Sequence, residues 1–188
     1  MKHSYLRNFE EREKIFPARQ ILTDFGLRAE QRIADLGCGY GFFALTAAEI
    51  VGPKGLVAGV DINAEGLDEL QERARARKVN GTITTYLASG LTVPLPDGYV
   101  EIALIANVLH ELADPLAYLR EAHRILADGG WVWVIEWQKK ETTMGPPLQE
   151  RKSVEEWTAL IAEAGFNHIR TNFHEPGHVL FTACKQFA

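Results

Sequence analysis

The sequence predicts an α/β fold in which a mostly parallel sheet is covered by helices on both faces. Short apolar runs alternate with segments of helical periodicity along most of the chain, which is typical of a parallel sheet. Several runs, such as GLVAGVD, are apolar without alternation, which indicates strands that are buried on both sides. Two final runs follow each other without a helix between them, so one strand near the C-terminus should be antiparallel.

Seven strand-like runs can be read along the chain. In order they are RIADLG, GLVAGVD, TITTYLAS, VEIALIANVL, GWVWVIEW, HIRTNFH and HVLFTACK. The segments between them have helical periodicity, and one of them, AEGLDELQERARARKV, should turn Leu67, Leu70 and Ala74 towards the core. The carboxyl ends of parallel strands lie at one edge of a sheet, where ligands bind in folds of this class.

The ends of two later helices are marked by capping residues. Asp114 can cap a helix that has Pro115 at its first position, and residues 128–130 (DGG) should end that helix. Ser153 and Glu156 have the spacing of a capping box. These signals give the boundaries of the predicted helices independently of their hydrophobic periodicity.

Length and composition predict one globular domain over residues 1–188, with a helical segment at 1–25 and an α/β core at 26–188. The net charge of −5 gives no general attraction to nucleic acid or anionic membrane, so neither nucleic-acid binding nor membrane insertion is expected. The first residues are too polar for a signal peptide, and there are only two cysteines. A cytoplasmic location is therefore predicted.

The segment IADLGCGYG, residues 33–41, carries three glycines with the spacing G-x-G-x-G. The dinucleotide fingerprint is G-x-G-x-x-G, with a pyrophosphate at the following helix N-terminus. Here Asp35 stands two residues before Gly37, where its charge would repel a pyrophosphate. A ligand with a positive amino group, such as S-adenosylmethionine, reverses the sign of that interaction.

Asp61 ends the second strand-like run, and its distance from Gly41 is 61 − 41 = 20 residues. Acids at this position accept hydrogen bonds from ribose hydroxyls. Nicotinamide cofactors and S-adenosylmethionine both contain adenosine. Asp61 therefore indicates adenosine without choosing between them, and the choice depends on Asp35 and the glycine spacing.

Several ordered motifs resemble one protein family. IADLGCGYGFFALTAA, VAGVDIN, LTVPLPDGYVEIALIANVLHEL and REAHRILADGGWVWVIEW look like successive motifs of the class I S-adenosylmethionine-dependent methyltransferases. The resemblance covers about residues 20–184 and is to the small, single-domain type similar to the ubiquinone/menaquinone-biosynthesis methyltransferases. It implies a Rossmann-like, doubly wound, seven-stranded sheet with one antiparallel strand near the C-terminus.

The resemblance also implies which residues hold S-adenosylmethionine and its product S-adenosylhomocysteine. The implied cofactor-binding residues are Asp35, Gly37, Cys38, Gly39, Tyr40, Gly41, Asp61, Ile62, Ser89, Gly90 and Asn107. The family often has an aspartate at the position of Ser89, where it binds the adenine amino group. A weaker or rearranged adenine contact is therefore expected.

Methyl transfer from a sulfonium is an in-line displacement on an activated donor, so no metal is expected and positioning should contribute most. After the fourth strand, His110 is the best candidate for a general base, and the alternative is a histidine that shapes the pocket. Glu111, Glu136 and Trp137 are candidate substrate-pocket residues. Trp137 is equally well explained as a packing residue at the rim.

Other histidines have simpler explanations. His168, His174 and His178 with Glu175 suggest a metal site, and alternation should place His168 and His174 on one face of their strand. A hairpin without metal is the favoured interpretation. His123 lies on the apolar side of its helix and is expected to be an interior histidine.

Two segments are candidates for substrate selection. Residues 1–25 carry Tyr5, Phe9 and Phe16 at roughly helical spacing, as in a lid over the cofactor or a helix packed on the sheet. Residues 138–151 form a long polar loop rich in proline, and such loops are often lids or binding loops.

The leading hypothesis is a methyltransferase of a small molecule. A methyltransferase of protein or RNA and a non-catalytic binder of S-adenosylmethionine are the alternatives. A nicotinamide-dependent oxidoreductase is a more distant alternative. The sequence does not identify the acceptor.

Overall fold

The computed structural model describes residues 8–174 and 177–187. Tyr5 and Glu175, both named above, lie outside the described residues. Within the described ranges, no helix has the length and apolar character that crossing a membrane requires. The seven strands of the described residues form one mixed sheet, in which the last strand of the chain is antiparallel to its neighbours. The predicted fold class is confirmed.

Contacts divide the chain into two compact units, Met1–Gly90 and Leu91–Ala188. The single-domain organisation stays a prediction. The described helices of the first unit are α1 (Phe9–Ile15), α2 (Ala18–Asp24), α3 (Phe42–Val51) and α4 (Ala64–Ala76). Its strands are β1 (Arg32–Leu36), β2 (Leu56–Asp61) and β3 (Ile83–Leu87).

The three strands of the first unit are parallel, in the order β3-β2-β1. Asp35 lies opposite Gly59, and Asp61 lies opposite Leu87. The middles of β1 and β2 are buried, as their unbroken apolar runs predicted. This register places both candidate acids at the carboxyl ends of their strands.

The helices of the first unit follow from their sequences. In α4, Leu67, Leu70 and Ala74 are buried as predicted, and the side chain of Asn63 caps the helix. The N-terminal segment is less regular than predicted. It forms two short helices separated at Pro17, because the residue before a proline is disfavoured in helical conformation.

Among its described residues, the second unit contains the remaining strands and two α-helices. These are β4 (Val100–Ala106), α5 (Pro115–Ile125), β5 (Leu126–Trp137), α6 (Val154–Glu163), β6 (Phe166–His174) and β7 (His178–Lys185). Single 3-10 turns cover Leu109–Glu111 and Leu148–Glu150. β4 pairs with β5 in parallel, and β7 lies between β5 and β6 and is antiparallel to both.

The predicted helix starts of the second unit are confirmed. Asp114 Oδ1 accepts a hydrogen bond from the Ala117 amide at 2.9 Å, with Pro115 at the first helical position. Ser153 and Glu156 form the full capping box. These side chains satisfy amides that the first turn of a helix leaves without partners.

The prediction that residues 128–130 end a helix was wrong. Helix α5 stops at Ile125, and the chain passes directly into β5. The register of β4 with β5 shifts within this stretch, so residues 128–130 form an irregularity inside the strand. A side chain at Gly130 would come within 2.8 Å of the Ala127 carbonyl oxygen, so a glycine permits this close approach.

The expected common face of His168 and His174 was also wrong. Asn167 lies opposite Cys184 and Arg170 lies opposite Thr182, so β6 has an extra residue between these pairs. His168 has a φ of 53° in this bulge. A bulge interrupts the alternation of side chains along a strand. The sequence pattern contained no signal for it.

Candidate active site

The loop between β1 and α3 has a left-handed backbone at each of its three glycines. Gly37, Gly39 and Gly41 have φ values of 78°, 53° and 88°. The amides of Gly37 and Cys38 both donate to the Val60 carbonyl oxygen, at 2.7 and 3.0 Å. The loop is thereby fixed against the end of β2, so its shape is built into the unit.

Two of these glycines have different reasons for lacking a side chain. A Cβ atom on Gly41 would lie 2.2 Å from Leu70 Cδ1, so any other residue would have to displace the Leu70 side chain. A Cβ atom on Gly39 would meet no atom within 4 Å. Gly41 therefore allows close packing between helices, whereas Gly39 faces open space that a ligand can fill.

Asp61 connects the second strand to the glycine loop. Its Oδ2 accepts from the Gly39 amide at 2.7 Å, and its Oδ1 accepts from the Asn63 amide at 2.8 Å. Each carboxylate oxygen can accept more than one hydrogen bond, so these contacts leave capacity for ribose hydroxyls. Sequence reasoning predicted a ligand role for Asp61 but missed its contact with the loop.

Asp35 is a buried acid with 3% of its surface exposed. Burial raises the pKa of its carboxyl to about 7, and the nearby charge of Asp61 adds to this increase. A hydrogen bond from the Ala44 amide and the charge of Arg12 act in the opposite direction but are weaker. An added cation beside Asp35 would therefore favour its ionised form.

The neighbours of the loop glycines are also buried. Cys38 and Tyr40 are each 7% exposed. A Cβ atom on Gly59 would lie 3.3 Å from Cys38 Sγ, which agrees with Cys38 as a small residue in a tight space. Burial raises the pKa of the Cys38 thiol, with Asp35 adding to the increase, so the thiol stays protonated at neutral pH.

The ends of β2 and β3 expose two apolar side chains. Ile62 is 70% exposed and Leu87 is 59% exposed. The Ala88 amide donates to the Asp61 carbonyl oxygen at 2.9 Å, which holds the two strand ends together. Ser89 and Gly90 follow at the surface. Ile62 and Ser89 were predicted at the adenine, and Leu87 was not recognised as a neighbour.

Helix α1 packs onto the first turn of α3. The rings of Phe9 and Phe42 are edge to face at 5.3 Å, and the guanidinium of Arg12 lies 4.1 Å from the centre of the Phe42 ring. Beyond the end of α1, Phe16 contacts Phe43 at 6.1 Å. Phe42 directly follows Gly41, so α1 lies beside the glycine loop.

In the second unit, His110 and Glu136 form a buried pair. His110 Nδ1 lies 2.7 Å from Glu136 Oε2, and the two side chains are 6% and 1% exposed. The amides of His110 and Trp137 also donate to Glu136, each at 3.3 Å. The carboxylate of Glu136 is therefore directed at His110 and is not exposed to a methyl acceptor.

The surroundings of His110 strengthen it as a base. Burial acts to lower its pKa, but the hydrogen bond and charge of Glu136 outweigh burial and raise the pKa above its ordinary value. Glu111 and Glu150 add to the increase, and Glu111 Oε1 lies 3.9 Å from Nε2. Since Glu136 accepts from Nδ1, Nε2 is the nitrogen that can take up a proton.

Asn107 directly follows β4 and has an unusual backbone conformation. Its φ is 59°, which is uncommon for residues other than glycine. Its amide donates to the Ile135 carbonyl oxygen at 2.8 Å. Its Oδ1 is buried and accepts no hydrogen bond from the described residues. An unsatisfied buried acceptor next to a candidate site is consistent with a ligand contact.

Trp137 is packed on several sides. Its ring lies 4.0 Å from the ring of His178, and the guanidinium of Arg151 lies 5.2 Å from its centre. A Cβ atom on Gly145 would come within 2.8 Å of the indole. These contacts favour the packing role of Trp137 over a freely exposed stacking surface.

The loop at 138–151 is organised by a buried arginine. Arg151 is 5% exposed, and burial lowers the pKa of its guanidinium. The guanidinium donates to five oxygens, which are the carbonyls of Pro146, Gln138, Lys140 and Met144 and the hydroxyl of Thr142. The sequence predicted a loop open to ligands but missed the arginine that fixes its backbone.

The remaining histidines and acids form no metal cluster within the described ranges. There, no group of three or more histidine, cysteine, aspartate or glutamate side chains is placed to hold an ion. The ring of His123 packs edge-on against Phe166 at 5.1 Å, and burial lowers its pKa. This packing agrees with an interior histidine.

Comparison with known proteins identifies the family. The model of a methyltransferase domain matches residues 34–134, more than half of the chain. The chain belongs to the class I S-adenosylmethionine-dependent methyltransferase family.

The chain matches only part of the length of its relatives. The ubiquinone/menaquinone biosynthesis C-methyltransferase UbiE of Vibrio vulnificus is 34% identical over 114 residues, which are 61% of this chain and 44% of that protein. The corresponding protein of Shewanella is 32% identical over 126 residues, which are 67% of this chain and 50% of that protein. The chain thus spans about half the length of these relatives.

Solved structures match over nearly the whole chain. A crystal structure of a SAM-dependent methyltransferase from Aquifex aeolicus has a TM-score of 0.86 and 27% identity, and the match covers 93% of this chain and 92% of that one. Phosphoethanolamine N-methyltransferase 2 of Haemonchus contortus, in complex with S-adenosyl-L-methionine, has a TM-score of 0.75 at 17% identity, over 91% of this chain and 52% of that one. The second match shows a shared fold alone.

The first unit fits the cofactor that the family uses. Asp35 offers a buried acid for an ammonium group, Gly39 faces open space, and Asp61 retains acceptor capacity. Ile62 presents an exposed apolar surface of the kind that an adenine ring covers. These observations agree with S-adenosylmethionine as the cofactor.

Proposed function

We propose that the protein transfers a methyl group from S-adenosylmethionine to a small-molecule acceptor. The observation that carries the proposal is Asp35, an acid buried beside a glycine loop with an open face, in a chain of this family. A buried carboxylate is stabilised by a ligand cation and destabilised by a phosphate. When bound, S-adenosylmethionine supplies an activated methyl group on a sulfonium.

The residues of the first unit have separate roles in this proposal. Asp35 binds the ammonium of the methionine portion, with the G-x-G-x-G loop around it. Asp61 accepts hydrogen bonds from the ribose hydroxyls while it holds the Gly39 amide. Ile62 covers one face of the adenine, and Ser89 with Gly90 lies at its edge. Positioning of the two reactants then accounts for most of the rate enhancement.

The residues of the second unit act on the acceptor. Glu136 accepts the Nδ1 hydrogen bond of His110 and keeps Nε2 as the basic nitrogen. His110 Nε2 removes a proton from the acceptor when the attacking atom carries one, a contribution of about 10²–10⁴-fold in rate. Glu136 is a positioning residue, since its own carboxylate is buried against the imidazole.

The relatives indicate which acceptor to test first. The UbiE relatives of Vibrio vulnificus and Shewanella are named as C-methyltransferases of ubiquinone and menaquinone biosynthesis. Carbon methylation of a small quinone-type precursor is therefore the first acceptor chemistry to test for this chain. A cytoplasmic location and the absence of a nucleic-acid substrate remain predictions.

Calorimetry with S-adenosylhomocysteine and with NAD tests the cofactor. The proposal predicts binding of S-adenosylhomocysteine at micromolar or tighter dissociation constants and no heat with NAD. Binding of NAD without any response to S-adenosylhomocysteine would overturn the assignment.

Transfer of a labelled methyl group to metabolites of a cell extract tests the reaction. The native chain should label at least one small molecule, and His110→Gln should label it at least tenfold more slowly. Both proteins should bind S-adenosylhomocysteine equally, because His110 acts on the acceptor. A native chain that binds the cofactor but labels nothing would instead support the non-catalytic alternative.

A further inference from the structure

We propose that the methyl acceptor is an amine, which binds beside His110 as an ammonium ion and is methylated on its nitrogen. The inference rests on the proposed function, because it names the chemical class of the acceptor for the same site. Its basis, among the described residues, is a ring nitrogen of His110 without a hydrogen-bond partner and two acids, Glu111 and Glu150, without a paired cation. The names of the UbiE relatives describe a carbon acceptor, so carbon methylation is the competing chemistry.

One ring nitrogen of His110 has no hydrogen-bond partner in the part of the chain that the structure describes. The side chain is 6% exposed, and its Nδ1 lies 2.7 Å from Glu136 Oε2. Glu111 Oε1 lies 3.9 Å from Nε2, which is beyond hydrogen-bond distance. Polar atoms of buried side chains normally have a partner, so Nε2 is placed to receive a donor from a ligand.

Asn107, three residues before His110, leaves a second acceptor atom without a donor. Its Oδ1 is buried and accepts no hydrogen bond from the described residues. Its backbone is fixed, because its amide donates to the Ile135 carbonyl oxygen at 2.8 Å, directly before Glu136 in β5. The two open atoms of this segment, Nε2 and Oδ1, are therefore both acceptors, and a ligand with several N–H donors matches them.

The charges around His110 favour a ligand cation. Glu111 and Glu150 are exposed carboxylates, and both act electrostatically on the imidazole. Neither of them forms an ion pair with a lysine or arginine of the described ranges. Arg151 directly follows Glu150, but its guanidinium is buried and donates to five oxygens of its own loop. The donors of Arg151 are therefore used within the loop, and the two acids remain open to a cation from outside.

An ammonium group suits both the open acceptor atoms and the acids. An aliphatic amine has a pKa of about 10, so it reaches the site as an ammonium ion. His110 Nε2 takes one proton from this ion, which leaves a lone pair on the nitrogen. The lone pair forms a bond to the methyl carbon while the bond from that carbon to sulfur breaks, and the electron pair of the broken bond stays on sulfur. The products are the N-methylated ammonium ion and S-adenosylhomocysteine, with the proton held on His110.

Other classes of acceptor suit these surroundings less well. A carboxylate acceptor would be repelled by Glu111 and Glu150. A neutral phenol or quinol can donate a hydrogen bond to Nε2, but its binding gains nothing from the two negative charges. The acids therefore select the acceptor by charge, which is a common basis of specificity.

Methyl transfer to fractions of a metabolite extract tests the inference. A small-molecule ultrafiltrate is separated by ion exchange at pH 7 into cationic, neutral and anionic fractions, and each fraction is incubated with the native chain and methyl-labelled S-adenosylmethionine. The cationic fraction should be labelled fastest, and mass spectrometry should place the methyl group on nitrogen. Fastest labelling of the neutral or the anionic fraction, or a methyl group on carbon or oxygen, would overturn the inference and leave the proposed function intact. No label in any fraction would overturn both.

Variants of the two acids test their role in selecting the acceptor. With the amine purified from the labelled fraction, the double variant Glu111→Gln, Glu150→Gln should raise KM by roughly tenfold and change kcat less, because the charges act on binding. Added salt should raise the KM of the native chain more than that of the variant. Glu141→Gln is the matched control, since Glu141 is an exposed acid of the same loop that is not among the charges acting on His110, and it should keep the native KM. Equal KM and equal salt dependence in the double variant and the native chain would contradict the inference.

Discussion

Two carboxylates that are almost completely buried, Asp35 in the first unit and Glu136 in the second, have contrasting surroundings. Glu136 receives hydrogen bonds from His110 Nδ1 and from the amides of His110 and Trp137. Asp35 accepts a hydrogen bond from the Ala44 amide, but it also lies near the like charge of Asp61. The donors around Glu136 compensate its negative charge, whereas the pKa of Asp35 is raised to about 7.

The difference indicates that Glu136 stabilises the fold and that Asp35 is suited to bind a ligand cation. Removing one partner of a buried ion pair is strongly destabilising, so the pair of Glu136 with His110 contributes to the stability of the fold. A buried acid whose charge is poorly compensated weakens the fold and gains stability when a cation binds. Glu136 is therefore the stabilising member of an ion pair, whereas Asp35 is the acid that gains stability when a cation binds.

The largest expected effect is on Glu136. Glu136→Ala leaves the His110 imidazole and two amides without their buried acceptor, and the free energy of unfolding should fall by about 3–5 kcal/mol. Urea denaturation at pH 7 measures it. Glu111→Gln is the matched control, because its side chain is 71% exposed and should change stability by no more than about 0.5 kcal/mol. A loss below about 1 kcal/mol in Glu136→Ala would show that the pair is not structural.

The opposite sign is expected for Asp35. Asp35→Asn removes a buried charge and keeps an oxygen for the Ala44 amide, so the free energy of unfolding at pH 8 should rise by about 1 kcal/mol or more. Asp61→Asn is the control and should lower stability, since its carboxylate accepts two amides. Urea denaturation of both variants measures the change. A destabilised Asp35→Asn would place Asp35 in the same class as Glu136.

The pH dependence of stability separates the two sites further. The folded chain keeps the proton of Asp35 up to about pH 7, whereas the unfolded chain releases it near pH 4, so this contribution to stability falls as pH rises between those values. The pKa of His110 is raised, so its contribution is full below about pH 6.5 and is lost above that pH. Denaturation series of Asp35→Asn and His110→Gln should each remove one of these slopes. Slopes that persist in both variants would assign the pH dependence to other groups.

The smallest expected effect concerns Ile62. Its side chain is 70% exposed, so Ile62→Ala should leave stability unchanged. If it covers the adenine, the affinity for S-adenosylhomocysteine should fall by roughly three- to tenfold through lost apolar contact. Calorimetry measures the affinity, with Leu148→Ala, another exposed apolar residue, as the control. An unchanged affinity would remove Ile62 from the adenine site.

The fold could be predicted because its signals are local. Unbroken apolar runs marked the buried strands, and Asp114, Ser153 and Glu156 marked the helix starts. The positive φ values at the loop glycines also agree with the residue type, since glycine adopts them without steric cost. Each of these features depends on neighbouring residues, and a sequence shows neighbours directly.

The missed features depend on residues far apart in the sequence. His110 and Glu136 are 26 positions apart, so their pairing requires the register of β4 with β5. The role of Arg151 depends on five acceptors in a loop whose path is not encoded by periodicity. The bulge at His168 likewise arises from pairing with β7. The sequence identified His110, Glu136 and His168 as candidate site residues, but it did not identify their partners.

Affinity for S-adenosylhomocysteine as a function of pH tests the central claim that the ammonium of the cofactor compensates Asp35. Since binding requires the ionised acid, affinity of the native chain should rise up to about tenfold per pH unit towards pH 7 and then level off. Asp35→Asn should bind at least tenfold more weakly at pH 8 and without this slope. Equal affinity and equal pH dependence in the two proteins would contradict the account.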